Sequence, residues 1–169
     1  LGGAESRVMD LYRNLDRSRI QFDFAVHGQQ EGYFDGEIRS LGGRIYRLPK
    51  FVGTNWIAYQ KAWRDFFSAH PGYACAHGHM TSTASIYLPE AKRAGVPLTI
   101  AHARSAGVDA GPKGWLTRQL RRPLWKRAGL CLAASRGAGL AVFGEGLLRQ
   151  FLRGFPLRRD RLLGGDPVL

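Results

Sequence analysis

Tyr73-Ala-Cys-Ala-His-Gly-His-Met-Thr-Ser-Thr-Ala-Ser-Ile-Tyr-Leu-Pro-Glu-Ala-Lys-Arg-Ala-Gly-Val-Pro-Leu-Thr-Ile-Ala-His-Ala-Arg-Ser105 holds one repeat of the architecture. Residues 73–79 form a short apolar run ending in polar groups, as a buried strand does. Residues 81–94 read as a helix, with Pro89 inside it where a kink is expected. Residues 97–102 are a second apolar run bounded by Pro97 and Arg104. A strand, a helix and a strand of this length form a crossover unit with parallel strands.

The same alternation continues outward in both directions. Val8, Leu11, Tyr12 and Leu15 recur at helical spacing and predict a helix over 4–17. Phe22, Phe24 and Val26 fall on one face of a strand, and residues 31–41 read as a short helix stopped by Gly42-Gly43. Residues 44–49 are a strand closed by Pro49. Trp56, Tyr59, Trp63, Phe66 and Phe67 make an aromatic stripe that predicts a helix packed on a sheet. Downstream, a basic helix over 114–127 carries Pro123, residues 129–134 are a strand, and a short helix lies near 137–143. Strict alternation predicts an α/β fold: a doubly wound parallel sheet with flanking helices.

Length and composition agree with one ordinary domain. The chain has 169 residues and is 44% hydrophobic, enough for a core. Its two cysteines, Cys75 and Cys131, lie in apolar runs and are expected to be buried, reduced thiols of a cytoplasmic protein. No stretch approaches the ~18 apolar residues of a membrane span. The net charge of +12 is uneven, with +3 over residues 1–112 and +9 over 113–169. A basic block of this kind suits nucleic acid, anionic lipid or a phosphorylated ligand.

In a doubly wound sheet, ligands bind beyond the C-terminal strand ends. Gly2-Gly3 precedes the first helix there, where backbone N–H groups can approach an anion. His77 and His79 end one strand, two residues apart and so on one face; His102 ends the next. Three imidazoles could gather as a zinc site, but no Asp or Glu lies close in sequence to support one, and no metal is expected. A metal-dependent (β/α)₈ barrel would need about 250 residues. Arg104 could meet a phosphate. The rival function is a basic nucleic-acid-binding α/β module, with residues 113–161 as its surface. There Trp115 and Trp125 are interleaved with Arg118, Arg121, Arg122, Lys126 and Arg127.

Four segments together carry a resemblance: GGAESRVMDLYRNLDRSRIQFDF at 2–24, GYFDGEIRSLGGRIYRLP at 32–49, HGHMTSTASIYL at 77–88 and PLTIAHARS at 97–105. Their order and spacing resemble glycosyltransferase group 1, also called glycosyltransferase family 4, and within it the capsule and exopolysaccharide synthesis branch. The resemblance implies the N-terminal, acceptor-side Rossmann-like half of a GT-B fold, without its first strand. It implies a retaining hexosyltransferase acting in polysaccharide biosynthesis, with a nucleotide-diphosphate sugar as donor substrate and no cofactor. The acceptor would be a saccharide or a lipid-linked saccharide. His102 matches the catalytic histidine; Gly2, Gly3, His77, His79 and Arg104 match positions that bind substrate or phosphate.

The implied location is cytoplasmic, with the basic helix touching the anionic inner face of the membrane, and no nucleic acid is expected as a partner. The family's second domain, which holds the donor, is not in this sequence, so the isolated fragment is expected to be inactive. Where many relatives read His-x-His or His-x-Asn, this chain reads His102-Ala103-Arg104. The domain is expected to span 1–144. Residues 145–169 form a divergent basic tail, with five arginines and no lysine from 147 onward, and are expected to be non-native sequence from a shifted reading frame.

Overall fold

A computed structural model describes residues 2–107 and 110–144. The helices are α1 (Gly3–Asn14), α2 (Asp35–Ser40), α3 (Trp56–Ala69), α4 (Thr81–Arg93), α5 (Gly111–Arg121) and α6 (Leu124–Arg127). The strands are β1 (Asp23–His27), β2 (Arg44–Leu48), β3 (Cys75–Gly78), β4 (Leu98–Ala103) and β5 (Leu130–Ala133). Residues 136–144 are helical as well. Every described strand pairing is parallel, and the order of elements is the predicted alternation. The fold is therefore the expected Rossmann-like α/β arrangement.

The single sheet expected from the alternation is split in two. β1 pairs with β2, and β3, β4 and β5 pair in that order. β1 and β3 exchange no ladder hydrogen bonds and are joined through side chains instead. The Tyr73 hydroxyl donates to Asp23 Oδ2 across 2.8 Å, and His27 stacks on Tyr59 and meets the edge of Trp63. Ala25 and His27 from β1 and Cys75, Ala76 and His77 from β3 line the groove between the sheets.

The aromatic stripe is the heart of the main core. Tyr59, Trp63 and Phe67 are buried, and Trp63 stacks on Tyr87 of α4 with centroids 4.6 Å apart. A second cluster gathers Met9, Tyr12 and Ile38 with Phe22 and Phe24 beneath α1. Gly43 is dictated by close approach there: a Cβ would lie 2.7 Å from the Tyr12 hydroxyl and 3.1 Å from the Phe22 carbonyl. Its neighbour Gly42 has φ +86°, the left-handed region that ends α2 cheaply.

α4 runs through Pro89 without interruption. Proline cannot donate to the carbonyl four residues back, that of Ser85, which is buried. Arg127 Nη1 takes that place, donating to Ser85 O across 2.8 Å. Arg127→Ala leaves this carbonyl without its partner, which costs about 1–3 kcal/mol for a buried group. A fall in Tm is expected, with Arg136→Ala, at a position without such a bond, as the control.

The expected basic helix over 114–127 is in fact two helices. It starts earlier, at Gly111 with Pro112 in the first turn, and breaks at Pro123, which has no N–H to continue the ladder. The cysteines also differ from expectation: both are free, but Cys75 is exposed and Cys131 only partly buried. Both sit on edge-proximal positions of short strands, and burial still pushes the Cys131 thiol up to about 11. No helix among the described residues is long and apolar enough to cross a membrane.

Candidate functional site

The end of β3 is shaped by its glycine. A Cβ at Gly78 would clash with the Tyr87 hydroxyl, so this residue lets α4 lie against the strand. With Gly78 turned toward α4, His77 and His79 share the other side, their ring centroids 4.2 Å apart. The β3–β4 register pairs Gly78 with Ala101, which brings His102 level with the histidine pair. His102 lies 5.3 Å from His77 and 5.4 Å from His79, centroid to centroid. Arg104 follows just past β4, and its Nη2 donates to the Ala4 carbonyl in the first turn of α1 across 3.1 Å. His79 lines a pocket of about 340 Å³ together with Ala4 and Glu5. The three histidines, Arg104 and the start of α1 thus meet at one strand-end edge.

Gly2 and Gly3 stand at that edge as the cap and first residue of α1. A Cβ on Gly3 would meet nothing within 4 Å, so the chain's own packing does not require glycine there. The Glu5 carboxylate already accepts from the Gly2 N–H across 3.1 Å. An anion arriving at this helix end would have to displace that carboxylate or use the N–H groups beyond it.

The electrostatics keep the imidazoles neutral. Burial, reinforced by the neighbouring His102 ring and the Arg104 guanidinium, pulls His77 down to about 4. Burial, then His77, Arg104 and His102, take His79 to about 3. His102 is lowered by burial and by Arg104. A neutral imidazole both donates and accepts, so these rings can grip sugar hydroxyls while Arg104 supplies the positive charge. Arg104 Nε is buried without a hydrogen-bond partner among the described residues, which leaves a donor for a ligand oxygen.

One residue escaped the sequence reading. His27 ends β1, lines the same pocket as His79, and sits 2.8 Å from the Tyr59 hydroxyl through Nε2. Its position at the end of a Phe-x-Phe-x-Val strand was the same signal that marked His102. On the basic side, Trp115 is 59% exposed, whereas Trp125 packs partly against the core with Lys126 over its ring. Arg121 is half-buried, and burial lowers its pKa. The described part of the 113–161 surface therefore offers one free tryptophan rather than a pair.

The family described as the glycosyl transferase 4-like domain matches residues 2–149. The chain belongs to this glycosyltransferase family. The EpsF protein of Bacillus subtilis (strain 168), whose name describes it as a glycosyltransferase, is 32% identical over 148 residues. That alignment covers 85% of this chain and 38% of EpsF, so the chain spans under two fifths of that relative's length. No solved structure matches the chain significantly. In this glycosyltransferase domain, the strand-end edge that carries His77, His79, His102 and Arg104 lies wholly within the matched residues. The match also runs five residues beyond the boundary expected at 144. The tail from 145 lies outside the described residues.

Proposed function

We propose that this domain forms the acceptor-side wall of the cleft in a retaining hexosyltransferase of polysaccharide biosynthesis. The donor is a nucleotide-diphosphate sugar and the acceptor a saccharide hydroxyl, free or lipid-linked, as in capsule or exopolysaccharide assembly. The acceptor oxygen forms the new bond to the anomeric carbon as the bond to the diphosphate breaks. The acceptor's proton leaves with the diphosphate or to solvent. Cofactors other than the donor substrate have no part in this step. The observation that carries the reading is the meeting of Arg104, His102 and the start of α1 at the strand ends. Such a site offers a fixed cation and neutral hydrogen-bonding rings to a sugar and its phosphates. The test is sugar transfer by the full-length protein with His102→Ala beside wild type.

The reading extends to a cytoplasmic enzyme touching the anionic inner face of the membrane. Lys113, Arg118, Arg122 and Lys126 lie on α5, α6 and the turn between them. Exposed Trp115 and the loop around Gly53, which abuts Leu116, add apolar surface: Val52 is 65% and Ile57 82% exposed. Each Lys or Arg near such a surface contributes on the order of 1 kcal/mol, and aromatic residues favour the headgroup level. Co-sedimentation with vesicles is expected to rise with anionic lipid content and to fall in Arg118→Glu/Lys126→Glu. Binding that ignores lipid charge contradicts the docking.

A further inference from the structure

The three histidines hold a geometry that sugar binding alone does not ask for. Each offers one ring nitrogen, and the three nitrogens lie within 4.8 Å of one another. His77 Nε2 and His102 Nδ1 share a hydrogen bond across 3.2 Å, which an ion between them would replace. Two imidazoles on one tetrahedral zinc, with bonds of about 2.05 Å, hold their nitrogens about 3.3 Å apart. One edge of a metal tetrahedron thus already has the required length, and the third nitrogen, within 4.8 Å of both, has to move closer to complete the face. Rings radiating from one ion place their centroids about 5 Å apart; His102 lies 5.3 and 5.4 Å from its two neighbours, and His77 and His79, at 4.2 Å, would part slightly on binding.

Two further observations point to an ion. His79 Nδ1 is shielded from solvent and has no hydrogen-bond partner among the described residues, a cost that a bond to an ion would remove. Two of the donors, His77 and His102, also project from hydrogen-bonded strands, a stiffer frame than loops give, and His79 follows directly on β3. An all-imidazole set selects zinc, nickel or copper over magnesium or calcium.

We propose that His77, His79 and His102 bind one divalent transition-metal ion of the zinc class, with a fourth position open to solvent or an anion. Arg104 repels a bare cation but suits an anion in the open position. This departs from the expectation that the site holds no metal. The ion would occupy the rings that the transferase reading gives to sugar, so it competes with sugar and has no part in transfer; binding is measured without sugar, so the two readings fail separately.

The 169-residue chain is titrated with Zn²⁺ against a chromophoric chelator at neutral pH. One equivalent should bind. Loss of an outer-sphere partner alone costs a metal site about 10–100-fold, so His77→Ala, His79→Ala and His102→Ala should each weaken binding at least about tenfold. The double variant Cys75→Ser/Cys131→Ser should bind as wild type does. Absence of binding by wild type, binding retained in His77→Ala, His79→Ala or His102→Ala, or binding lost with the cysteines overturns the proposal. Far-UV circular dichroism checks that each variant folds. If one does not, Co²⁺ bound to wild type decides. Tetrahedral visible bands without a thiolate charge-transfer band support the site, and a thiolate band or the weak absorption of octahedral Co²⁺ overturns it.

Discussion

Purified by itself, the 169-residue chain is expected to give no sugar transfer above the no-enzyme blank from any nucleotide-diphosphate sugar. The described site is an open edge: neutral imidazoles, one arginine and a helix end, with nothing described opposite them to hold a nucleotide. Holding two reactants in near-attack geometry is worth about 7–11 kcal/mol of barrier, or roughly 10⁵–10⁸ in rate. An acceptor-side wall alone leaves the anomeric carbon unoriented and the departing diphosphate unneutralised. The chain covers 38% of the length of EpsF, and the resemblance assigns donor binding to a second domain. The check is a panel of nucleotide sugars assayed for donor hydrolysis and transfer. Turnover that disappears in His102→Ala would show that one wall suffices.

The fold was legible because its signals are redundant. All five strands lie within the apolar or alternating runs that mark them in the sequence, and β4, the longest strand, is the most buried of them. The aromatic stripe from Trp56 to Phe67 predicted α3 and its buried face, since only one helical face can meet a sheet. The break at Pro123 had its residue in plain view, yet periodicity ran across it. The passage of α4 through Pro89 depends on Arg127, which binds the Ser85 carbonyl from 42 positions away, and no local pattern could announce that contact. The split between β1 and β3 likewise depends on which strands meet in space, which alternation does not encode.

The candidate site was legible in part. His77, His79 and His102 were found by position alone, because strand register fixes which neighbours share a face. The link from Arg104 to Ala4 spans 100 positions and was invisible in sequence. So was the reason for Gly78, whose missing Cβ makes room for Tyr87. His27 ends its strand with the same signal that His102 carries.

His102→Ala in the full-length transferase is expected to lower kcat by about 10²–10³, a loss of about 2.7–4 kcal/mol in barrier terms. Its imidazole is held level with His77 and His79 by the β3–β4 ladder and kept neutral by burial and by Arg104. A preorganised neutral ring placed against a reacting sugar acts most where charge develops, so the loss should fall on kcat more than on KM. Removing the ring also opens the cavity only slightly, because His102 is half-buried at a strand end rather than in the core. The central claim is that this strand-end edge is part of the transfer site, and the most direct measurement is the initial rate of transfer by full-length wild type and His102→Ala. Arg19→Ala, exposed in the turn that precedes β1 and so at the opposite end of the strands, serves as the control. A drop of about a hundredfold or more for His102→Ala, with the control near wild type, is the predicted result. Equal rates for wild type and His102→Ala, with both proteins folded, would contradict the account.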